Sequence, residues 1–258
     1  MSDVLLEAKN ITMQFGGLKA VDSVAFAINK GQLVGLIGPN GAGKTTVFNM
    51  LTGVYQPTGG DVLLCGKSLK GCKPYEISHR GLTRTFQNIR LFKGLTVLEN
   101  VLIASHQHVR YGLFSTLFQT KSFLHEEKAL KAKALDLLRI FNMEGKAHEE
   151  ASSLPYGEQR KLEIVRALAT DPKMILLDEP AAGMNHSETH RLMELIAHIR
   201  DQFKLTVLLI EHDMKLVMGI CENIIVLDHG VKIEEGPAHK IQNSQRVIEA
   251  YLGVEEKE

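Results

Sequence analysis

The stretch Gly38-Pro39-Asn40-Gly41-Ala42-Gly43-Lys44-Thr45 matches the phosphate-binding pattern G-x-x-x-x-G-K-[ST], and its flanks decide how the chain folds. Before it, Leu33 to Ile37 reads as a short buried strand; after it, Thr46 to Thr52 is expected to run as a helix whose N-terminus points back at the loop. In that setting the glycines let backbone N–H groups crowd around phosphate oxygens, and the helix N-terminus adds partial positive charge. Gly38, Asn40, Gly41, Gly43 and Thr46 then line the seat, Lys44 reaches the outer phosphates, and the Thr45 hydroxyl is a ligand for Mg²⁺. An ordinary glycine-rich turn is the competing reading, and it leaves the lysine and both flanks unexplained.

Around this loop the chain offers 258 residues, 44% of them hydrophobic, enough for one large domain with lobes. Thirty basic residues balance thirty acidic ones, which removes the broad basic face that a nucleic-acid partner requires. Cys65, Cys72 and Cys221 are odd in number and form no C-x-x-C pair, so they are expected to be free thiols filling the core in a reducing cytosol. No apolar run approaches the ~20 residues of a membrane helix, and the N-terminus has no secretory pattern. The chain by itself is expected to be soluble.

The N-terminal third reads as strands, at Leu5 to Phe15, Val24 to Ile28 and Asp61 to Leu64, with the nucleotide seat among them. Residues 96–169 turn helical; Leu124 to Phe141 carries Leu130, Ala134, Leu137, Leu138 and Phe141 among lysines and glutamates. Strands and helices then alternate: Met174 to Leu177, Ser187 to Phe203, Leu205 to Ile210, Met214 to Ile220, Ile224 to Leu227. That alternation predicts a parallel sheet covered on both faces. A C-terminal helix, Ser244 to Leu252, precedes a charged tail within 244–258.

A second constellation lies at Met174-Ile175-Leu176-Leu177-Asp178-Glu179, a buried strand ending in two carboxylates. Asp178 suits the Mg²⁺ shell and Glu179 suits activation of a water, two separate tasks of phosphoryl transfer. A third strand, Thr206 to Ile210, delivers His212 just beyond its end, where ligands of such sheets bind; a solvated loop histidine is the alternative.

With these motifs in order, the chain resembles the ATP-binding cassette family, the ATPase subunits of ABC transporters, over nearly its whole length. The resemblance implies an α/β P-loop NTPase with a RecA-like core, an N-terminal antiparallel β-lobe and an α-helical lobe. It implies one nucleotide-binding domain, with residues 1–95 and 170–258 as core and β-lobe and 96–169 as helical lobe. Lys44 and Thr45 fall in Walker A. Gln87, within Thr85-Phe86-Gln87-Asn88, is similar to the Q-loop glutamine, a catalytic and Mg²⁺-sensing position. Leu154-Pro155-Tyr156-Gly157-Glu158-Gln159-Arg160 occupies the signature position, Asp178 and Glu179 match Walker B and its catalytic glutamate, Ala181 to Asn185 the D-loop, and His212 the switch histidine. Phe15 resembles the aromatic that stacks on adenine, with a core aromatic on a strand as the other reading.

The family's head-to-tail dimer would close the signature motif of one subunit over ATP held by the other, so Gly157, Glu158 and Asn185 are expected to act in trans. Ser152 and Ser153 are expected to cap a helix Gln159 to Ala169 whose N-terminus meets the γ-phosphate. Two departures stand out. Pro155 replaces the usual serine and brings neither hydroxyl nor N–H, and Tyr156 replaces a glycine. Asn185 replaces the aspartate of the D-loop but can still hydrogen-bond across a dimer.

The run L-x-Y-G-E-Q-R-K-L-E-I-x-R-A-L, together with D-E-P-A-A-G-M-N, resembles the ATP-binding subunits of high-affinity branched-chain amino acid importers, and the longer of their two ATPases in particular. Residues 106–123 correspond to that subunit's helical extension. The implied partners are a second ATP-binding subunit, integral permease subunits docking near Ile89 to Phe92, and a periplasmic or extracellular solute-binding protein. The implied place is the cytoplasmic face of the membrane, and the cofactors are ATP and Mg²⁺. Another cargo, such as urea, an amide or an envelope lipid, is the nearer alternative; a soluble ABC-type ATPase without a permease is the more distant one. The remaining histidines show only helix-compatible pairs such as His186 and His190, which polar faces explain.

Overall fold

The computed structural model describes residues 3–108 and 121–252. It divides into two compact units, the first formed by Met1–Arg84, Lys173–Pro180 and Met193–Glu258, the second by Thr85–Pro172 and Ala181–Leu192.

In the first unit, strands β1 (Val4–Phe15) and β2 (Leu18–Asn29) form an antiparallel hairpin. Strand β4 (Gly59–Leu64) pairs with β1 and β5 (Lys67–Ser68) with β4, giving the order β2-β1-β4-β5. Alternation builds this layer: Val24, Phe26 and Ile28 of β2 point inward, whereas Ala25 and Ala27 do not.

The other sheet contains β3 (Leu33–Ile37), β6 (Leu82–Arg84), β7 (Met174–Asp178), β8 (Thr206–Ile210), β9 (Asn223–Asp228) and β10 (Val231–Gly236), ordered β10-β9-β3-β8-β7-β6. All pairings are parallel except that of β10 with β9. Every residue of β3, β7 and β8 is buried, as a parallel sheet covered on both faces demands. Helix α1 (Lys44–Leu51) seats Val47, Phe48, Met50 and Leu51 in a core that includes Leu36, Leu176, Leu208 and Ile225. Removing a buried ring such as Phe48 costs about 3–5 kcal/mol.

In the second unit, α3 (Val97–Ser105), α4 (Lys121–Ile140) and α5 (Tyr156–Ala169) pack on one another. Their apolar stripes bury Val97, Val101, Leu137, Leu138, Phe141, Leu162 and Val165. A capping box starts α3: Thr96 Oγ1 accepts from the Glu99 N–H at 3.2 Å, and Glu99 accepts from the Thr96 N–H at 2.8 Å. The fully buried Asn100 closes the turn before it, its Oδ1 accepting from the Phe92 N–H and its Nδ2 donating to the Phe92 and Thr96 carbonyls.

Several expectations are corrected. Helix α2 (Pro74–His79), strands β5, β6 and β10 and helix α8 (Ala238–Gln242) lie where no element was predicted. Helix α5 begins at Tyr156 rather than Gln159, and Ser152 and Ser153 do not cap it: they turn back onto Glu150, at its Oε2 and its carbonyl. Cys72 and Cys221 are buried, but Cys65 is exposed on a turn and is no core filler. Of the 106–123 extension, His106–His108 forms a 3₁₀ turn and Lys121 opens α4; residues 109–120 lie outside the described residues, as does the charged tail from 253.

Candidate nucleotide site

The loop between β3 and α1 can follow its path only with glycine. At Gly38, φ is +152° and a Cβ would stand 2.1 Å from the Leu227 carbonyl oxygen; at Gly43, φ is +96° and a Cβ would meet the Ala20 oxygen at 2.7 Å. Gly43 is the N-cap of α1 and no side chain caps that helix, so its first amides are left for an anion. Lys44 Nζ donates to the carbonyls of Gly38 and Pro39 at 2.7 and 2.9 Å, which lays the side chain along the loop. Burial pulls its pKa below the ordinary lysine value, while the charges of Glu179 and Asp178 push the other way. The Thr45 side chain is exposed at the mouth.

Beside the loop, β7 ends at Asp178, level with Ile210 of β8. Asp178 is almost fully buried, and its Oδ2 accepts from Arg84 Nη2 at 2.6 Å. The same guanidinium donates to Asn49 Oδ1 of α1 at 2.6 Å and lies over the Phe48 ring at 5.4 Å. Glu179 takes a left-handed backbone conformation, φ +47°, and its N–H donates to the Ile210 carbonyl at 3.0 Å. Beyond β8, Glu211 is 2% exposed while the neighbouring His212 side chain stands out in solvent. Phe15 is also exposed, edge-on to Tyr55 with ring centroids 5.3 Å apart, so it is not a core aromatic. The first unit thus gathers Gly38 to Thr46, Asp178, Glu179, His212 and Phe15.

The second unit carries Gln87, the signature segment and the D-loop. Gln87 is exposed on the segment that follows β6. Pro155 is the N-cap of α5, and no side chain caps that helix either. Gly157 lies beside Met184, whereas Glu158 is held by Lys146, whose Nζ donates to both carboxylate oxygens at 2.7 and 2.6 Å. Asn185 caps helix α6 (His186–Phe203): its Oδ1 accepts from the Glu188 N–H at 3.0 Å and its own N–H donates to Glu188 at 3.1 Å. The Asn185 carbonyl oxygen is therefore already engaged at home.

Arg84 and Lys146 are functional candidates that sequence reasoning missed. Nothing local marks them, because their partners lie 94 and 12 residues away. Arg160 was legible as the end of the signature segment, but its bond to the Gln87 carbonyl, 73 residues away, was not.

Among the described residues no group of three or more His, Cys, Asp or Glu side chains is placed to hold a metal alone. The donor set here is one hydroxyl and one strand-end carboxylate beside a phosphate seat. That set suits Mg²⁺, which binds through few protein oxygens and takes the rest of its shell from phosphate and water.

The family described as ABC transporter matches residues 21–182, and that described as Branched-chain amino acid ATP-binding cassette transporter matches residues 231–257. The chain is 48% identical to the High-affinity branched-chain amino acid transport ATP-binding protein LivG of Escherichia coli and 47% identical to BraF of Pseudomonas aeruginosa; each alignment covers 98% of this chain and 99% of the relative. Among solved structures, the ADP conformation of an ATP-binding cassette of an ABC transporter superposes with a TM-score of 0.85 at 32% identity, covering 98% of this chain and all of that one. A dimeric post-hydrolysis cassette bound to ADP and phosphate superposes with a TM-score of 0.76 at 26% identity, covering 91% of this chain and 99% of that one. Members of this family bind nucleotide and hydrolyse ATP to drive transport, and the chain, sharing their fold and nearly half its residues with LivG and BraF, belongs to it: an ATP-binding cassette ATPase of the branched-chain amino acid transport type.

Proposed function

We propose that this ATPase energises import of leucine, isoleucine and valine, working as a head-to-tail dimer beneath permease subunits at the cytoplasmic face of the membrane and fed by a solute-binding protein. The observation that carries the cargo is identity of 47–48% with two branched-chain amino acid transport proteins along essentially their full length. Among the described residues no helix is long and apolar enough to cross a membrane, which fits a subunit that relies on partners for the pathway. Phe92, 47% exposed, lies in the 89–92 segment offered to the permease.

At the site, the amides of Gly38 to Thr46 and Lys44 hold the phosphates of ATP, and Phe15 stacks on the adenine. Thr45 and Asp178, with Gln87, would hold Mg²⁺, which supplies charge neutralisation at the β- and γ-phosphates. Glu179 orients the attacking water and takes its proton, and His212 contacts the γ-phosphate. Gly157, Glu158 and Asn185 belong to the surface that meets the nucleotide of the partner subunit. With the serine position filled by Pro155, the uncapped N-terminus of α5 supplies the anion contact.

The test is radiolabelled leucine uptake by cells that lack other leucine importers and carry either this chain or its Glu179→Gln variant in place of the native copy. Uptake with the former and none with the latter, at equal protein levels, is expected. Equal uptake would remove the branched-chain assignment and leave urea, amide or lipid cargo to be tried with the same pair.

A further inference from the structure

Tyr156, which stands where the signature motif usually has glycine, connects three loops of the second unit. Its ring covers Gly183 of the D-loop, where a Cβ would come within 3.1 Å of Tyr156 Cε1 and where φ is +78°. Its hydroxyl accepts from Arg160 Nη2 at 3.0 Å. The Arg160 side chain is only 3% exposed, so its Nη1 and Nη2 groups are cut off from water and depend on partners inside the protein. Its Nη1 donates to the Phe86 carbonyl at 2.8 Å and lies 3.3 Å from Glu163 Oε2, and its Nη2 donates to the Gln87 carbonyl. Glu163 returns a bond to the same segment by accepting from the Phe86 N–H at 3.3 Å. One turn further on, Arg166 donates to the Arg90 carbonyl and lies over the Phe92 ring at 5.0 Å.

Residues 160, 163 and 166 recur at helical spacing and so share one face of α5. Together they hold the main chain of 86–90 rather than its side chains. A loop bound only to water can shift without consequence for its neighbours. Here any displacement of Gln87 away from α5 strips two buried charged groups of their hydrogen bonds, so helix and loop are coupled.

We propose that Arg160 is a positioning residue for ATP hydrolysis. Through Tyr156 and the carbonyls of Phe86 and Gln87 it makes the D-loop, the signature helix and the Gln87 loop move as one piece. A nucleotide meeting the signature segment thereby repositions Gln87. The proposal rests on the reading of Gln87 and the signature segment as parts of the ATP site.

The test is a double-mutant cycle on the purified full-length ATPase, reading kcat and KM for wild type, Arg160→Met, Gln87→Ala and the double variant. Arg160→Met is expected to lower kcat about tenfold with KM within about twofold, and the double variant to be no slower than the worse single one. Arg160→Lys, which keeps one donor for the loop, is expected to recover part of kcat. Losses that multiply in the double variant would overturn the proposal, as would a fall in melting temperature with kcat unchanged. If Arg160→Met does not fold, the same cycle is run with Tyr156→Phe, where multiplying losses have the same meaning. A wild-type chain that turns over no ATP would overturn the site reading itself, whereas an active wild type with multiplying losses removes only the coupling.

Discussion

Arg84 Nη2 and Asp178 Oδ2 lie 2.6 Å apart, in side chains only 6% and 4% exposed, so the strand-end carboxylate that we propose for the metal shell rests on a buried guanidinium. That guanidinium also reaches Asn49 on α1, and one side chain therefore ties together β6, β7 and the helix that follows the phosphate loop.

Arg84→Met is expected to destabilise the protein by about 3–5 kcal/mol, because it removes the guanidinium that pairs with the buried Asp178 carboxylate. Urea denaturation of variant and wild type measures the difference. A midpoint within experimental error of wild type would show that Asp178 is compensated in another way.

Glu179→Gln removes the carboxylate that we propose takes a proton from water but keeps the shape of the side chain. Hydrolysis is expected to fall by about 10²–10⁴-fold while fluorescent ATP still binds, with a dimer accumulating on gel filtration in ATP. Lys44→Ala, in contrast, should abolish binding in the same fluorescence assay. If both variants lose binding alike, Glu179 has no separate role in turnover.

Gly60→Ala probes the sheet away from the site. With φ at +78° and a Cβ 2.3 Å from the carbonyl oxygens of both Asn10 and Lys9, alanine at position 60 forces β1 and β4 apart. A loss of about 2 kcal/mol or more is expected in a urea melt, with the affinity for ATP retained.

The thiols give a prediction in pH. Burial, reinforced by the charge of Glu222, pushes the pKa of Cys221 up to about 12. The folded state thus favours the protonated thiol. That contribution is complete below the ordinary thiol value and is lost as pH rises from about 9 towards 12. Native protein near pH 8 should show one fast-reacting thiol, Cys65, and all three only in denaturant. Over the alkaline window it should lose stability faster than Cys221→Ala. Rapid labelling of Cys221 in the native state would contradict its burial.

What the sequence revealed follows from where each partner lies. Gly38 to Thr45 and the run Met174 to Asp178 carry pattern and neighbours within a few residues, so loop and strand were legible together. Helix α2 went unread although Pro74 at its first turn and Glu76 at its third position form a start signal, because the helix is only six residues long. Strand β10 was missed because it is half-buried and polar, with Lys232, Glu234 and Glu235 along it, and finds its place only by pairing with β9. The ends of α5 show the opposite error: Ser152 and Ser153 suit a cap by composition, but the turn at Glu150 claims their hydroxyls first. Arg84 was invisible for a simpler reason. A lone arginine looks like a solvated one until the fold delivers its carboxylate or carbonyl.

The left-handed backbone of Glu179 sets two kinds of selection against each other. Glycine, and to a lesser degree asparagine, would occupy φ +47° with less of the ~1–3 kcal/mol such a conformation costs an ordinary residue, yet neither carries a carboxylate. With Glu179 in the role proposed for it, a population of variants screened for heat resistance alone would drift towards an inert protein at this one position, and only a screen that also demands growth on imported nutrient would keep the glutamate in place.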